Sequence, residues 1–211
     1  MENLSISYVD YPIASGKESV VFKAYIGKKP VAIKIFKIST IKFSTLERYI
    51  HGDRRFENER KDRSTRVFLW CRKEYTNLDE LNRWKINAPM PYDYNMNVLI
   101  MQYLGTAKSP SPQLRNYGGR LEPLYAELRR QLRIMYGSAK LVHADLSEYN
   151  VLVYRKKPYF IDVGQMVDRR HPSADEFLRR DIFNISNFFR RKGIQVEEQE
   201  LYDFVTGDSV E

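Results

Sequence analysis

Two runs of β-branched and aromatic residues near the start of the chain, ESVVFKAYI and PVAIKIFKI, are separated only by the turn signal GKKP. This pattern is typical of a β-hairpin, and residues 6–38 as a whole predict three antiparallel strands. In the last of these strands the side chains alternate between two faces, so Lys34 shares a face with Ala32 and Phe36. The predicted sheet therefore carries a lysine within an otherwise apolar strand.

A charged side chain also falls on the apolar face of the helix predicted for residues 65–84. The apolar stripe of this helix comprises Val67, Cys71, Leu78 and Leu81. Glu74 occupies the position that completes the helical repeat between them. Burying an unpaired carboxylate would cost several kcal/mol, on the order usual for an isolated ion, so Glu74 requires a cationic partner. We expect that partner to be Lys34.

The rest of the pattern changes from sheet to helix along the chain. Residues 97–105 predict a further buried strand, and residues 106–119, with two prolines and a glycine pair, mark a boundary between two lobes. A second helix follows, with a stripe of Leu121, Leu124, Leu128, Leu132 and Met135. A third begins at Ser173, whose spacing to Glu176 indicates a capping box, and ends at Gly193. Residues 40–63 are charged and aperiodic, which predicts a mobile or partly disordered segment.

Composition limits the class of protein. With 211 residues, of which 43% are hydrophobic, the chain can bury a core as one domain or two small lobes. Cys71 is the single cysteine, which excludes an intrachain disulfide and favours a reducing compartment. No apolar run approaches the roughly 20 residues that span a bilayer, and the N-terminus does not resemble a signal peptide. We therefore expect a soluble, cytoplasmic protein without a membrane partner.

The net charge of +8 is unevenly distributed. Residues 193–211 hold six acidic side chains and no Lys or Arg, so residues 1–192 carry +14. The basic clusters are Arg54-Arg55, Arg129-Arg130, Arg155-Lys156-Lys157, Arg179-Arg180 and Arg190-Arg191-Lys192. This charge favours a polyanionic partner such as a nucleic acid, and a solvated basic surface is the alternative.

The segment LVHADLSEYN at residues 141–150 places polar groups between two hydrophobic runs, and a predicted hairpin after it ends at Asp162. Asp145 is suited to act as a general base, and Asn150 and Asp162 offer oxygen ligands to a hard divalent cation. Lys34, held by Glu74, supplies positive charge for phosphates. The turn ASGKES at residues 14–19 would offer backbone amides to the same phosphates. Together these groups predict phosphoryl transfer.

Each of these residues has an ordinary structural explanation when taken alone, such as an edge-strand lysine or an aspartate in a turn. Their shared order and spacing along the chain favours the functional interpretation. His143 is the exception, because we expect it to be structural, with hydrogen bonds inside its loop, rather than catalytic.

The same residues carry a family resemblance. PVAIK, HADLSEYN and DVG are similar to the protein-kinase motifs V-A-I-K, H-R-D-x-x-x-x-N and D-F-G, in kinase order. Several further stretches resemble the RIO family of atypical serine/threonine kinases, namely ASGKESVVFKA, IKIFKISTIKF, RYIHGDRRF, IDVGQ and HPSADEFLRRDI. The resemblance covers nearly the whole chain and is strongest to the first of the two main RIO branches, although GKES is closer to the second.

The resemblance implies an α+β, bilobal protein-kinase-like fold. The N-lobe, residues 1–105, would contain an antiparallel sheet, one helix and the hinge, and the C-lobe, residues 106–211, would be mainly helical. The implied catalytic residues are Asp145, Lys34 and Glu74, and the implied metal ligands are Asn150 and Asp162, with ATP and Mg²⁺ or Mn²⁺ as cofactors. The implied nucleotide-binding residues are Ser15, Gly16, Lys17, Glu18, Ser19, Ala32, Lys34, Met101, Gln102, Leu104, Asn150 and Asp162.

The sequence departs from ordinary kinases in ways that affect the substrate. The glycine-rich loop is reduced to Gly16, and Ala144 stands where the arginine of H-R-D would be. Pro172 follows Asp162 by only ten residues, which leaves no room for an activation loop. We therefore expect no control by activation-loop phosphorylation and no conventional platform for a peptide substrate.

For function, the resemblance implies an ATP-dependent serine/threonine kinase that acts in small ribosomal subunit maturation. Its partners would be pre-ribosomal rRNA and ribosomal proteins, without specificity for a DNA sequence. Two alternatives stay open, namely an ATP-hydrolysing assembly factor with incidental kinase activity and a small-molecule phosphotransferase of the aminoglycoside or choline kinase type. Ser44 and Thr45 are candidate sites of self-phosphorylation.

Overall fold

A five-stranded antiparallel sheet forms the first part of the fold in a computed structural model that describes residues 5–38, 48–56 and 63–207. The strands are β1 (Tyr8–Ser15), β2 (Ser19–Ile26), β3 (Lys29–Phe36), β4 (Pro91–Asn95) and β5 (Val98–Gln102). Their order in the sheet is β1-β2-β3-β5-β4. The three predicted N-terminal strands and the strand within residues 97–105 are confirmed. The short edge strand β4, which begins with a proline, was not predicted.

Helix α1 (Arg63–Arg83) contacts β4 and β5, which confirms the helix predicted for residues 65–84. Its apolar stripe is buried as expected, at Val67, Cys71, Leu78 and Leu81. The alternation of β3 and the helical repeat of α1 bring Lys34 and Glu74 to the same layer between sheet and helix.

The prediction of a mobile segment over residues 40–63 is wrong for residues 48–56. Tyr49, Asp53 and Phe56 are buried there. The Tyr49 ring lies 5.2 Å from the ring of Phe177, and this aromatic contact fastens the segment to the core. Residues 40–47 and 57–62 of the predicted segment, which include Ser44 and Thr45, lie outside the described residues.

The second part of the fold is mainly helical. It comprises α2 (Glu122–Gly137), β6 (Leu141–Val142), the hairpin of β7 (Val151–Tyr154) and β8 (Lys157–Phe160), β9 (Val167–Asp168), α3 (Ala174–Arg191) and α4 (Glu198–Thr206). Strand β6 pairs with β9, and the two strands bracket the polar segment of the sequence. The α+β class is confirmed, whereas the lobe boundary at residues 105/106 stays a prediction.

Only three 3₁₀ residues, the short strand β9 and a turn lie between Asp162 and α3, in a fully described part of the chain. The predicted lack of an activation loop is therefore confirmed. Helix α4 was not predicted. It packs on α2, where the ring of its Phe204 lies 4.0 Å from the guanidinium of Arg129.

The capping box predicted at Ser173 is wrong. Ser173 is the N-cap residue of α3, but its side chain makes no capping hydrogen bond. Its amide donates to His171 Nδ1 at 3.1 Å instead, and the Glu176 carboxylate pairs with Arg48 at 2.5 Å. Ser173, at φ −100° and ψ 14°, lacks the extended backbone of a capping residue, and the Glu176 carboxylate has a cationic partner outside the helix.

Among the described residues, no helix combines the length and the apolar character that crossing a membrane requires.

Candidate active site

Lys34 lies in the central strand β3, opposite Val21 of β2 and Leu99 of β5. Only 4% of the residue is exposed. Its ammonium group lies 2.7 Å from both carboxylate oxygens of Glu74 and 2.6 Å from Oδ1 of Asp162. The predicted pairing with Glu74 is confirmed, and Lys34 also bridges the sheet to the segment that follows β8.

The pair is buried, and this affects the pKa values of both carboxyl groups. Burial raises the pKa of Glu74 to about 6, since Lys34 offsets only part of the desolvation. Lys34 lowers the pKa of Asp162, whose side chain remains 57% exposed. The cation therefore keeps Asp162 ionised while the exposed part of that carboxylate faces the cleft.

Asp145 lies on the loop between β6 and β7, and two side-chain amides orient its carboxylate. Asn150 Nδ2 donates to Asp145 Oδ2 at 3.1 Å and to the Asp145 carbonyl at 2.8 Å. Gln165 Nε2 donates to the same Oδ2 at 3.2 Å. Burial raises the pKa of Asp145 to about 6, with a further contribution from Asp162. A carboxylate with a raised pKa and fixed orientation is suited to accept a proton.

Helix α3 supports this loop through residues that the sequence analysis did not assign to the site. Asp181 is 2% exposed and accepts hydrogen bonds from the amides of Ala144 and Leu146, at 2.7 and 2.8 Å. Arg180 donates to the Ala144 carbonyl at 2.5 Å. Burial raises the pKa of Asp181 to about 7. The sequence did contain a signal for Asp181, because its carboxylate lies on the apolar stripe of α3, as the Glu74 carboxylate does on α1.

The contact between Asp181 and the loop gives a stability prediction. Replacing Asp181 by Ala removes the acceptor of two buried amides, each of which costs about 1–3 kcal/mol when left unsatisfied. We expect the Asp181→Ala variant to lose about 2–5 kcal/mol of unfolding free energy in urea titrations, with lower activity. Glu176→Ala is the control on the same helix, since its exposed pair with Arg48 contributes about 0–1 kcal/mol. Equal losses in the two variants would contradict the role assigned to Asp181.

The predicted metal ligands, Asn150 and Asp162, both line one cleft. Because Asn150 Nδ2 is bonded to Asp145, its carboxamide oxygen is the atom left to contact a cation. The Asn150 oxygen and the Asp162 carboxylate together offer two side chains with oxygen atoms to a cation. Among the described residues, no group of three or more His, Cys, Asp or Glu side chains is arranged to hold a metal. Such a site fits Mg²⁺, which takes one or two protein oxygens and completes its shell with phosphates and water.

The cleft has a volume of about 610 Å³ and runs from the turn between β1 and β2 to the loop after β5. Most of the predicted site residues lie on its walls, namely Ser15, Gly16, Ser19, Ala32, Lys34, Glu74, Met101, Gln102, Leu104, Asn150 and Asp162. Lys17, Glu18 and Asp145 are not among the lining residues. A cleft of this size fits a nucleotide.

Some backbone groups at the back of the cleft already make hydrogen bonds within the protein. The Gln102 amide donates to the Met90 carbonyl at 2.7 Å, and the Leu104 carbonyl accepts from the Ser111 amide at 2.9 Å. Any pairing with adenine would therefore use the Gln102 carbonyl and the Leu104 amide. Met101 and Ala32, both buried, flank this position.

Some backbone groups of the turn between β1 and β2 are occupied by hydrogen bonds within the protein. The Gly16 amide donates to the Ser19 carbonyl at 2.9 Å, and Lys37 Nζ donates to the Gly16 carbonyl at 2.7 Å. The predicted phosphate contacts would then fall to the other amides of the turn. Burial and nearby Asp162 raise the pKa of Glu18. Since a carboxylate repels phosphate, Glu18 would contribute through its backbone.

His143 is buried, as a structural residue should be, but the predicted hydrogen bonds inside its loop are wrong. Neither ring nitrogen has a hydrogen-bond partner among the described residues, and the ring lies 6.0 Å from that of Phe160. Burial lowers the pKa of His143 to about 4. The imidazole is therefore neutral and packs as an apolar group.

In this site a buried lysine bridges a helix glutamate and an aspartate of the cleft, and an aspartate–asparagine loop lies beside them. This combination defines a protein-kinase-like phosphotransferase. The family model described as "RIO1: RIO domain" matches residues 20–201, and the chain belongs to this family.

Relatives agree with this assignment. The RIO-type serine/threonine-protein kinase Rio1 of Thermoplasma acidophilum is 47% identical over 88% of this chain and 98% of its own length. The human serine/threonine-protein kinase RIO1 is 37% identical over 97% of this chain, which spans 37% of the human protein. The chain is thus a serine/threonine-protein kinase. The prediction that it is most similar to the first RIO branch is confirmed.

A solved structure supports the fold. The Rio2 kinase from Chaetomium thermophilum, described as an ADP/Mg²⁺-phosphoaspartate complex, superposes with a TM-score of 0.70 at 23% identity. The alignment covers 97% of this chain and 63% of the Rio2 chain. It confirms the bilobal kinase-like architecture.

Proposed function

We propose that this kinase transfers the γ-phosphoryl group of ATP, with Mg²⁺ or Mn²⁺, through the residues of the cleft. The observation that supports the proposal most directly is the buried Lys34 contacting Glu74 and Asp162 at 2.7 and 2.6 Å. This arrangement fixes one positive charge at the point where the phosphates of a nucleotide in the cleft would lie. Preorganised charge of this kind is the main contribution that a protein makes to phosphoryl transfer.

The roles follow from the contacts of each residue. Lys34 neutralises the α- and β-phosphate oxygens, and Glu74 keeps its ammonium group in place. Asp145 accepts or orients the proton of the attacking hydroxyl, while Asn150 and Gln165 fix the direction of its carboxylate. The apolar walls for adenine are Ala32 and Met101.

Asn150 and Asp162 would hold the cation against the phosphates. A bound Mg²⁺ supplies charge neutralisation for the phosphoryl group in transfer. In the present arrangement Asp162 is bonded to Lys34, and the exposed part of its carboxylate remains accessible from the cleft. The Rio2 complex, which is described as holding ADP/Mg²⁺, supports the same cofactors here.

We further propose a pre-ribosomal small subunit as partner and a cytoplasmic location. Support comes from the charge of +14 over residues 1–192, which favours an RNA-rich partner. Several basic residues of the predicted clusters have local partners: Arg55 binds Asp53, Arg130 binds Glu127 and Arg191 binds Glu148. The partner proposal therefore rests on the overall charge rather than on one unpaired basic surface.

ATP hydrolysis is a second candidate activity. The short connection between Asp162 and α3 provides no extended platform for a peptide, which favours transfer to water or to the enzyme itself. The phosphoaspartate of the Rio2 complex agrees with this second activity. The small-molecule alternative gains no support, since the relatives described above are named as protein kinases.

Labelled ATP distinguishes these activities. Purified protein is incubated with γ-labelled ATP and Mg²⁺, with and without small ribosomal particles, and the label is located. We expect stable label on Ser or Thr for kinase action. Hydroxylamine-labile label on Asp162, or free phosphate stimulated by the particles, would establish the ATPase instead. Absence of any transfer or hydrolysis, or transfer to a small alcohol, would overturn the proposal.

A further inference from the structure

The turn that follows Asp162 is held at both ends by side chains of helix α1. Lys73 Nζ donates a hydrogen bond to the Met166 carbonyl, and Asn77 Nδ2 donates to the Val163 carbonyl at 2.7 Å. Lys73 and Asn77 lie one helical turn apart on α1, on either side of Glu74 in sequence. One turn of helix therefore contacts both Lys34 and the backbone of the segment that contains Asp162.

The fit between the turn and the helix is close. A Cβ atom added at Gly164 would lie 3.0 Å from the ring of Trp70 on α1, so a side chain at this position would push the indole away. Asp162 has a φ of +59°, a left-handed conformation that is unfavourable for a residue with a side chain. The surrounding contacts must stabilise this conformation, since the residue alone does not.

The two side chains that the turn presents to the site have different partners. Asp162 contacts Lys34 at 2.6 Å, and Gln165 contacts Asp145 at 3.2 Å. A shift of the turn away from α1 would therefore affect the metal ligand and the orientation of the base together.

A second layer of charged residues comes from residues 48–56. Asp53 is fully buried, and its Oδ2 lies 2.7 Å from Arg55 and 3.4 Å from Lys73. Arg55 also donates to Asn77 Oδ1 at 2.9 Å. Burial and the Arg55 charge lower the pKa of Lys73 to about 7. Asp53 and Arg55 thus fix the two α1 side chains that bind the turn.

We propose that Lys73 and Asn77 are positioning residues that hold the turn after Asp162 against α1, so that Asp162 and Gln165 reach the metal and Asp145. The proposal rests on the proposed function, in which Asp162 binds the cation. Lys73 gives the buried Met166 carbonyl a donor, and Asn77 adds a side-chain donor to the Val163 carbonyl, which also accepts from the Met166 amide at 3.2 Å. Apolar packing of the same helix face would supply neither of these side-chain donors. It makes the metal site depend on α1 and on residues 48–56, although neither Lys73 nor Asn77 lines the nucleotide cleft.

The test uses ADP binding, which does not depend on turnover. Calorimetry gives the Kd of ADP for the full chain without metal and over a series of Mg²⁺ concentrations. In Lys73→Met, which keeps a long unbranched side chain, we expect the Mg²⁺ concentration that half-maximally tightens ADP binding to rise about tenfold. The Kd for metal-free ADP should stay at the wild-type value, because Lys73 is not among the residues lining the cleft. Mn²⁺ in excess should recover tight binding.

Leu81→Val serves as the matched control. Leu81 lies one turn beyond Asn77 on α1, is buried, and belongs to the apolar core. This variant should have a lower Tm but the wild-type Mg²⁺ dependence. Asn77→Ala, which removes the other donor, replaces Lys73→Met if that variant does not fold.

The outcomes separate the two proposals. An unchanged Mg²⁺ dependence in the folded donor variant, or an equal change in Leu81→Val, would overturn the positioning role. If Mg²⁺ fails to tighten ADP binding in the wild-type protein, the metal site of the proposed function is wrong. The wild-type measurement alone gives that result, without any variant.

Discussion

Asn in place of Asp145 is expected to lower turnover by about 10²–10⁴-fold, the usual contribution of a general base. The replacement keeps an oxygen that can accept from Asn150 and Gln165, so the loop should retain its geometry. What it removes is the ability of this side chain to take a proton from the attacking hydroxyl. Transfer of label from ATP under single-turnover conditions measures the change.

Nucleotide binding provides the internal check on this variant. Asp145 does not line the cleft in which the nucleotide would lie, so the Kd of ADP should remain close to that of the wild-type protein. Ser147→Ala, on the same loop, is the control for general disturbance, since the hydrogen bond that its hydroxyl accepts from the Tyr149 amide is long, at 3.4 Å. Full activity of Asp145→Asn would exclude the base role, and equal losses in both variants would indicate a structural effect.

The sequence predicted those parts of the site in which a charged residue interrupts an apolar pattern. Lys34 stands out because β3 alternates, and Glu74 stands out because the stripe of α1 repeats every three to four residues. Since burial of either charge alone is unfavourable, the two positions in the sequence were enough to predict the pair. In addition, the order and spacing of Asp145, Asn150 and Asp162 match those of the protein-kinase motifs.

The sequence could not predict contacts that are made to backbone atoms. Asp181 binds two amides of the loop, and Lys73 and Asn77 bind two carbonyls of the turn. Because almost every residue has such backbone groups, the residue pattern can mark Asp181 as a buried charge but cannot identify the backbone atoms that it binds.

The segment of residues 48–56 was misjudged for a different reason. Asp53 and Arg55 were assigned to a mobile segment because charged residues dominate the composition there. Tyr49 and Phe56 are nevertheless buried and supply the apolar anchors. The two aromatic residues have the i, i+7 spacing of a helix face, but the intermediate positions, Gly52 and Asp53, are not apolar, so no period indicated a packed segment.

The capping box at Ser173 is absent because of the backbone conformation of Ser173 and a tertiary contact of Glu176. Its two residues have the right spacing, but Arg48, which is distant in sequence, binds the Glu176 carboxylate. Local pattern and tertiary contact compete for the same side chain, and here the charged partner prevails.

Removal of the Lys34 charge is expected to have the largest effect on stability. Lys34→Met leaves the Glu74 carboxylate buried, at 2% side-chain exposure, without its cation. Breaking a buried pair on one side costs about 3–5 kcal/mol, and we expect a loss of this size in the unfolding free energy at pH 8. Asp162 contributes little to the loss, since its side chain is more than half exposed. Urea titration followed by circular dichroism gives the value.

The loss should depend on pH in a defined direction. Burial raises the pKa of Glu74 to about 6 even with Lys34 present, and without Lys34 it rises further. A carboxyl whose pKa is higher in the folded state than in the unfolded state destabilises the fold once it ionises, and protonation removes the cost. The difference between wild type and Lys34→Met should therefore widen as the pH rises above 6.

The double variant Lys34→Met/Glu74→Leu separates the cost of the unpaired charge from the loss of the pair itself. Replacing both partners by apolar residues of similar volume is often neutral or stabilising, so the double variant should recover most of the unfolding free energy and lose the part of the pH dependence that Glu74 causes. It should remain inactive, because no cation would then face the phosphates. A single variant as stable as the wild-type protein at pH 8 would show that Glu74 is buried without need of Lys34. In that case the lysine would contribute to phosphate binding alone, and the shared layer of β3 and α1 would be held by apolar packing.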